Sequence, residues 1–533
     1  MHDIILKGGE IFDGTGADGF VGDVAITNGR IDEVGRIDNP NAREVIDVSD
    51  LAVSPGFVDM HTHSDFTLIA DGRAESQVHQ GVTTEVIGQC GMSCAPVCSH
   101  AAIRQVAPWY TEKAEHTPWQ SFGEYLDVLG SKGLGVNVAA FVGHGTIHRA
   151  ILGNQMSPGD PDDVADMARL VDRCIEEGAG GFSSGLEYFP GSLAAPDQLL
   201  PMCEVAAKRG RLYATHVRNR DTYYDLGFAE ALATARQSGA RLQISHIQPK
   251  FGAPRYAMEH TLEMIELAQR HDVDVAFDVV PHDWSFTFMV AMLPKWAQAG
   301  GVDAILKRLA NREDREKIKS NPQPMWLIVK ARKWKDIQLL NATVNKNLVG
   351  ADFQEIGRMR GVDPYDAALD IMLEEGGQLH GAMWTSKSFR NSDIELCLSQ
   401  PNCAVISDTV AIANDGILKD LMGTLTGYGW AARFLQYYVR DRKVLSLTEG
   451  LRRITSLPAD RIGLRDRGKL KPGFQADVCV FDQASVASNV TSSNPRRYAS
   501  GIVHVLVNGK MSMFNGKRTK NNAGRVVREF RSA

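Results

Sequence analysis

Short apolar runs that end in polar residues recur along most of the chain. Runs of this kind indicate buried β-strands, and amphipathic helical stretches lie between several of them. A strand–helix alternation repeated eight times predicts an α/β protein, a (β/α)8 TIM-like barrel with an outer ring of helices. The eight runs are Val53–His63, Thr83–Cys90, Val136–His144, Gly180–Tyr188, Arg211–His216, Arg241–His246, Asp274–His282 and Cys403–Asp408.

Three of the intervening segments carry a clear helical period. In Pro161–Gly178 the apolar residues recur every three or four positions along the segment. Asp160 is a typical N-cap, and proline suits the first helical position that follows it. Thr222–Ser238 and Tyr256–Arg270 show the same pattern, so we expect a helix in each.

One interval breaks this rhythm. About 120 residues separate His282 from Cys403, several times the usual spacing between strands. We expect residues 283–400 to form an insertion between the seventh and eighth strands, with a helix at Pro364–Glu375. The insertion begins directly after the seventh strand, so we favour a lid over the site to a subdomain remote from it.

Short β-type runs at the two ends of the chain resemble each other. Ile4–Lys7, Asp23–Thr27 and Glu44–Asp47 lie before the barrel, and Ala476–Phe481 and Gly501–Asn508 lie after it. Turns such as Asn-Gly follow some of these runs. We expect residues 1–52 and 465–533 to build a small β-sandwich domain, with the barrel at 53–464.

Composition fits a large enzyme and excludes several other classes. The chain has 533 residues, with 58 basic against 64 acidic residues and a net charge of −6, and it lacks basic runs, which argues against a nucleic-acid partner. No stretch approaches about 18 consecutive apolar residues, so we expect no membrane span. The start lacks a signal-peptide pattern, and eight cysteines do not frame a disulfide scaffold. We expect a cytoplasmic protein with a small-molecule partner, and a homo-oligomer stays open.

Metal-ligand residue types cluster at the ends of the predicted strands. His61 and His63 stand two residues apart on an extended strand, so their imidazoles point to the same side and can reach one metal ion. The ends of successive parallel strands meet at the mouth of a barrel. The sequence therefore predicts a metal site there, and the candidate ligands are His61, His63, Cys90, Glu187, His216, His246 and Asp408.

Together these motifs resemble the amidohydrolase superfamily and, within it, the D-aminoacylase (N-acyl-D-amino-acid deacylase) family. The resemblance covers nearly the whole chain, and the strand-two cysteine and the Ala-Thr-His-x-Arg-Asn segment favour the D-aminoacylase branch. It implies metal-dependent hydrolysis of the C–N amide bond of an N-acylated amino acid or related amide. The motifs are Gly8–Gly16, Pro55–Asp65, Gly88–Gly91, Gly143–Thr146, Tyr213–Asn219, Ile244–His246, Ser407–Asp408 and Lys471–Asp477.

The resemblance also implies a cofactor, one or two Zn²⁺ ions per chain. The pair His61 and His63 would bind one ion, and His216 and His246 the other or the same one. Many relatives bridge two metals with a carboxylated lysine after the fourth strand, and the stretch 176–198 has no lysine. Cys90 matches the family's metal-binding cysteine, and Glu187 sits where that lysine would be. Either could share the metals, or Cys90 could be a small buried hydrophobe and Glu187 a loop contact.

Catalytic roles follow from the same resemblance. In the family the strand-eight aspartate, here Asp408, takes a proton from the attacking water and hands it to the leaving nitrogen. Tyr188 could donate a hydrogen bond to the developing oxyanion, or it could only pack. His144 resembles the family's strand-three histidine and could orient substrate, or it could be a satisfied core histidine.

The chain departs from the family where the substrate carboxylate is recognised. Gln248 replaces a lysine, His282 replaces a tyrosine, and the segment 423–429 lacks the expected arginine. A free carboxylate is best held by an arginine fork. Lys250, Arg218 or Arg255 could take its place.

Aromatic residues of the insertion offer a second substrate expectation. Trp284, Phe286, Phe288 and Trp384 favour a bulkier, more apolar substrate, with Trp284 the first candidate contact, unless they form the insertion's own core. Two other functions stay open: hydrolysis of a cyclic amide, carbamate or ester, and a non-catalytic metal-binding barrel. Asp408 favours catalysis, because a structural zinc site needs no poised acid or base.

Overall fold

Eight parallel strands form the central barrel in the part of the chain that the structure, a computed structural model, describes: residues 1–38, 40–97, 119–153, 155–320, 326–421 and 423–531. All eight predicted runs contribute one strand each, in sequence order around the barrel. The strands of the chain are β1 (His2–Ile11), β2 (Phe20–Thr27), β3 (Arg30–Gly35), β4 (Ala42–Asp47), β5 (Ala52–Pro55), β6 (Phe57–Asp59), β7 (Val82–Ile87), β8 (Asn137–Gly143), β9 (Gly181–Gly185), β10 (Leu212–His216), β11 (Arg241–Ile244), β12 (Val275–Val279), β13 (Trp284–Phe288), β14 (Ile337–Asn341), β15 (Met383–Lys387), β16 (Cys403–Val405), β17 (Val478–Phe481), β18 (Ile502–Val507), β19 (Lys510–Phe514), β20 (Lys517–Arg518) and β21 (Val526–Val527).

The barrel consists of β6–β12 and β16, and it closes just beyond the ends of its first and last strands. There Thr62 pairs with Thr409 in a parallel bridge. The amide of Asp408 donates to the carbonyl of His61 at 3.1 Å, and the amide of His63 donates to the carbonyl of Thr409 at 2.7 Å. We call this pairing the closing seam. It brings the first and last candidate ligands of the sequence to one point.

The first predicted run is wrong in one respect, because Val53–His63 is two strands in two different sheets. Ala52–Pro55 pairs with β1 and β17, and Phe57–Asp59 pairs with β7 of the barrel. Gly56 separates them, and a side chain there would collide with Thr83. Proline followed by a glycine that must stay small lets the chain cross from one sheet to the other.

Helices follow most barrel strands, and the three that the sequence analysis predicted there have bounds within two residues of those expected. The helix at Pro161–Glu176 begins at the predicted cap: Asp160 accepts hydrogen bonds from the amides of residues 162 and 163, in a capping box with Asp163. The helices are Thr67–Ala70, Glu75–Val78, Phe122–Gly130, His144–Leu152, Pro161–Glu176, Pro196–Lys208, Tyr224–Ser238, Ala257–Arg270, Lys295–Gln298, Gly301–Ala310, Arg312–Ser320, Leu327–Lys330, Phe353–Arg360, Pro364–Glu375, Asn391–Leu398, Trp430–Arg433, a π-helix at Phe434–Asp441, Leu447–Ile454 and Ser456–Ile462.

The two chain ends form a small β domain, as expected. Its strands hydrogen bond as one continuous sheet in the order β20-β19-β18-β17-β5-β1-β2-β3, with β4 also on β1, and no second sheet in the described residues completes a sandwich of separate sheets. Ile11, Val24, Val478 and Leu506 belong to its own apolar core. The short strand β21 instead pairs with β8 of the barrel. The exact domain bounds stay a prediction.

The insertion after β12 folds around a core of its own. Its three-stranded antiparallel sheet has the order β13-β15-β14, and the helix Pro364–Glu375 begins and ends where the sequence predicts. Trp384 lies in this core, fully buried. The first strand, β13, starts five residues after β12 ends, so the insertion stays at the barrel mouth. No helix of the described residues is long and apolar enough to cross a membrane.

Candidate metal centre and substrate cavity

Asp408 lies against both histidines of the His-Thr-His motif. Its Oδ1 is 3.2 Å from Nε2 of His63 and 3.5 Å from Nε2 of His61. These three side chains come from opposite sides of the closing seam. Their ligand atoms lie within 4.8 Å of one another, close enough to hold one metal ion together.

Cys90 joins the same cluster from the second barrel strand. Its Sγ is 3.4 Å from Nε2 of His61, 3.4 Å from Nε2 of His246 and 3.8 Å from Nδ1 of His216. His61, Cys90 and His246 form a second group able to hold a metal, and it shares His61 with the first. Cys90 contacts imidazoles from three strands, so it occupies the centre of the arrangement.

The backbone is strained at three members of this cluster. Cys90, His246 and Asp408 have φ values of 52°, 36° and 50°, in the left-handed region that residues with a side chain rarely adopt. Such conformations cost about 1–3 kcal/mol each and persist where function requires a particular side-chain direction. Each of these residues lies two or three positions beyond the end of a barrel strand, at the turn that aims its side chain into the mouth.

Burial keeps the imidazoles of His61, His216 and His246 neutral. It lowers the pKa of His61 to about 3 and that of His216 to about 4, and it holds the pKa of His246 well below its usual value. A neutral imidazole has a lone pair to offer a metal. Burial also raises the pKa of the Cys90 thiol, which a bound cation would oppose by favouring the thiolate. Nitrogen and sulfur donors at this spacing fit a borderline-soft divalent cation such as zinc.

Asp408 is ionised in spite of its burial. Burial alone would raise its pKa, but the hydrogen bond with His63 and the electrostatic interactions with His61 and His63 lower it to about 2. Its side chain is 23% exposed, and it lines the cavity described below. The carboxylate can therefore accept a proton from a molecule in the cavity.

Glu187 stands behind His216, outside the two described groups of side chains that lie close enough together to hold a metal. Its Oε2 accepts a hydrogen bond from Nε2 of His216 at 2.9 Å, and its Oε1 accepts one from Nζ of Lys250 at 2.5 Å. Burial opposes ionisation of Glu187, but the charge of Lys250 and the His216 hydrogen bond bring its pKa down to about 2. Both carboxylate oxygens are engaged. An ionised Glu187 can only accept, so Nε2 of His216 carries the proton and Nδ1 faces Cys90.

Tyr188 and His144 differ in position. The Tyr188 ring lies 4.9 Å from the His216 ring, its Oη is 3.3 Å from Oγ1 of Thr287, and it lines the cavity. Burial raises the pKa of this phenol, so it remains a proton donor. His144 begins the helix His144–Leu152 instead, with its ring 6.2 Å from that of His148. It does not line the cavity, and the structure does not bring it to the cluster.

A large apolar cavity opens onto the cluster. The insertion supplies much of its wall, through the face of β13 that carries Trp284, Phe286 and Phe288 and through Trp326. Thr424 and Thr426 line the part where the family's arginine was expected. Trp284 therefore lies where a substrate contact was predicted. Trp384 instead belongs to the insertion's own core, which was the alternative for these aromatic residues.

The other two predicted substrate residues are engaged elsewhere. Gln248 donates to the carbonyl of Val280 at 2.7 Å and accepts from its amide at 3.2 Å, so it ties the sixth strand to the seventh. His282 accepts from the amide of Trp284 at 3.2 Å and lies 3.1 Å from Asp283. Neither lines the cavity. The role of both residues as substrate contacts therefore stays a prediction.

Sequence reasoning missed Arg220 and Trp326, which also line this cavity. Arg220 follows His216 by four residues, and that proximity was the available signal. Trp326 belongs to the insertion, about 110 residues along the chain from Arg220. No local pattern indicates that it reaches the barrel mouth.

Comparison with known proteins places the chain among amidohydrolases. A model of the amidohydrolase family matches residues 44–313 and 365–513. A D-aminoacylase of Alcaligenes xylosoxydans xylosoxydans is 29% identical over 529 residues, which covers 98% of this chain and 97% of that protein. An N-acyl-D-glutamate deacylase of the same organism is 28% identical over 532 residues, 99% of this chain and 96% of that protein.

A solved structure agrees with the same assignment. It is an N-acyl-D-glutamate deacylase from Bordetella bronchiseptica, complexed with zinc and a phosphonate inhibitor that mimics the tetrahedral intermediate of its reaction. It superposes with a TM-score of 0.81 at 28% identity, over 99% of this chain and 100% of that one. The likeness thus includes the small β domain, the barrel and the insertion.

Proposed function

This chain belongs to the amidohydrolase family, and we propose that it is a metal-dependent hydrolase that cleaves the C–N amide bond of N-acylated D-amino acids. The observation that carries the proposal is the position of Asp408. An ionised carboxylate lies 3.2 Å from His63 and 3.5 Å from His61, beside a thiol, and faces a cavity. The reactions named for the relatives support the N-acyl-D-amino acid class.

We propose that one or two Zn²⁺ ions bind in this cluster. His61, His63 and Asp408 would hold one position, and Cys90, His216 and His246 the other, with Cys90 as the shared ligand. Glu187 would orient His216 instead of binding metal. A zinc ion bound here would act as a Lewis acid and lower the pKa of water from about 16 to about 7.

Asp408 would move the proton. Its carboxylate accepts a proton from the attacking water and then donates it to the nitrogen of the leaving amine, which would otherwise leave as an unstable anion. Tyr188 would donate its Oη–H to the oxygen of the scissile amide as negative charge develops there. The aromatic face of β13 would cover the apolar part of the substrate and exclude water from the reacting bond.

Other properties follow as parts of the same proposal. We expect a small-molecule substrate, no nucleic-acid partner and a cytoplasmic location, and a homo-oligomer remains open. The mild net charge of −6 argues against a nucleic-acid partner, and the sparse cysteines fit a reducing cytoplasm.

An assay of purified protein tests the function. Zinc-loaded protein is incubated with N-acetyl-D-amino acids, their L enantiomers and amides without a carboxylate, and the released amine is measured. We expect release from the D series, and none after zinc is removed with a chelator. A protein that stays fully active without metal, or that cleaves no amide in the panel, contradicts the proposal.

A further inference from the structure

Arg220 is a buried cation on the wall of the substrate cavity. Arg220 is only 3% exposed. It lines the same cavity as His63, Cys90 and Asp408. One nitrogen, Nη1, donates to the carbonyls of His246 and Gln248. The guanidinium carbon lies 5.8 Å from the ring centre of Phe389, another cavity residue. Its charge is close enough to disfavour protonation of His61, His216 and His246.

No carboxylate of the described residues forms an ion pair with Arg220, and its buried Nε has no hydrogen-bond partner there. A buried charge without a counter-ion at ion-pair distance is costly, and the carboxylate of a bound substrate would supply the opposite charge. A guanidinium is also suited to a carboxylate, because its fork matches the two oxygens.

The other cations considered for this role are committed elsewhere. Lys250 forms its ion pair with Glu187, at 2.5 Å. Arg218 pairs with Glu230 through Nε and Nη2, both at 2.8 Å. Arg255 is exposed and does not line the cavity. Among the arginines and lysines of the described residues, the wall of this cavity contains Arg220 alone.

We propose that Arg220 binds the carboxylate of the substrate and thereby determines specificity for N-acylated amino acids over amides without a carboxylate. The inference rests on the proposed function and names the residue that selects its substrates. The cation comes from the loop after the fifth strand, β10, because the segment 423–429 near the eighth strand contributes threonines to the cavity and has no arginine.

A structural role for Arg220 makes a different prediction. If Nη1 only held the carbonyls of His246 and Gln248 in place, its loss would disturb the cluster and slow the hydrolysis of every substrate alike. If Arg220 instead recognises a carboxylate, its loss should slow the hydrolysis of only those substrates that carry one. The informative quantity is therefore the ratio of kcat/KM for two substrates that differ in the carboxylate alone.

The experiment compares N-acetyl-D-phenylalanine with N-acetyl-2-phenylethylamine, using zinc-loaded full-length protein. For the unaltered protein we expect a kcat/KM ratio of about 10² or more in favour of the carboxylate. Arg220→Gln should bring the ratio to within about threefold of one, mainly through the acid substrate, and Arg220→Lys should keep an intermediate ratio. Arg255→Gln removes an exposed charge outside the cavity as the matched control and should leave the ratio unchanged.

Each outcome decides the proposal. An Arg220→Gln protein that loses both activities equally, or keeps the original ratio, overturns it. Unaltered protein that cleaves the two substrates equally well also overturns it while the amidohydrolase function stands, whereas protein that cleaves neither amide contradicts the proposed function itself. If Arg220→Gln does not fold, inhibition of the unaltered protein by the two products decides: D-phenylalanine should inhibit far more strongly than 2-phenylethylamine, and equal inhibition overturns the proposal.

Discussion

Glu187 and Lys250 form an ion pair whose charged atoms, Oε1 and Nζ, lie 2.5 Å apart, with side chains only 3% and 1% exposed. Through its other oxygen Glu187 holds the ring of His216. The pair therefore fixes which nitrogen of His216 faces Cys90, and it connects the loops that follow the fourth and sixth strands. A buried pair of this kind costs desolvation, so its value lies in positioning more than in stability.

Breaking this pair on one side should be strongly destabilising. We expect Lys250→Met to lower the free energy of unfolding by about 3–5 kcal/mol, because the Glu187 charge is then buried without its partner. Denaturant unfolding measures the loss. Lys387→Met is the matched control: Lys387 is 57% exposed and 3.7 Å from Asp283, so a change below about 1 kcal/mol is expected. If adding Glu187→Gln to Lys250→Met fails to recover any stability, the two residues are not coupled as described.

Asp408→Asn should separate catalysis from metal binding. Asparagine keeps the size of the side chain but cannot accept the proton, so we expect kcat to fall by about 10²–10⁴-fold. The zinc held by Cys90, His216 and His246 should remain, as measured by elemental analysis of the purified variant. Activity within about fivefold of the unaltered protein would assign the proton transfer to another residue.

Cys90 and Glu187 should differ in their effect on bound zinc. Cys90→Ser removes the atom that contacts imidazoles from three strands, so we expect most of the zinc to be lost. Glu187→Gln leaves every proposed ligand in place and alters only the partner of His216, so affinity should fall about 10–100-fold. Titration of the metal-free variants with zinc measures both. A larger loss in Glu187→Gln than in Cys90→Ser would reverse the assignment.

The stability of the metal-free protein should fall in acid because of Glu187. Its pKa is about 2 in the folded protein against 4.5 for an unperturbed glutamate. A lowered carboxylate pKa contributes stability that is fully present above about pH 4.5 and is lost as the pH falls towards 2. The shift corresponds to about 3 kcal/mol. Unfolding curves between pH 6 and 2 should show a weaker dependence for Glu187→Gln, and identical dependences would contradict this account.

The two tryptophans Trp284 and Trp384 should separate substrate binding from folding. Trp284 lines the cavity, so Trp284→Ala should raise KM for aromatic N-acyl substrates, by up to about tenfold for roughly 50 Å² of lost apolar contact. N-acetyl-D-alanine should be affected less. Trp384 is buried in the core of the insertion, so Trp384→Ala should lower the free energy of unfolding by about 3–5 kcal/mol. It should not change the preference for aromatic N-acyl substrates over N-acetyl-D-alanine. Equal preferences in the unaltered and Trp284→Ala proteins would remove Trp284 from the binding wall.

The sequence predicts the barrel well because each strand carries its own local pattern, and the polar residues that end these runs meet at the mouth by topology alone. It could not predict the environment of Glu187. The partner Lys250 lies 63 residues further along the chain, and the contact depends on how two loops pack. Arg220 and Trp326 were missed for the same reason. Trp284 and Trp384 look alike in the sequence, and only the pairing of β13 with β15 decides which one faces the cavity.

The closing seam has a consequence for how the protein acquires its metal during synthesis. His61 leaves the ribosome early and Asp408 leaves it almost 350 residues later, yet the backbones around them pair directly. Strand β5, immediately before the barrel, can pair with β17 only later still, because β17 spans residues 478–481. A nascent chain released before residue 409 cannot complete the ring, whatever its other strands have formed. Uptake of zinc by the His61–Asp408 position would therefore be among the last events of folding and would report that the whole barrel has closed.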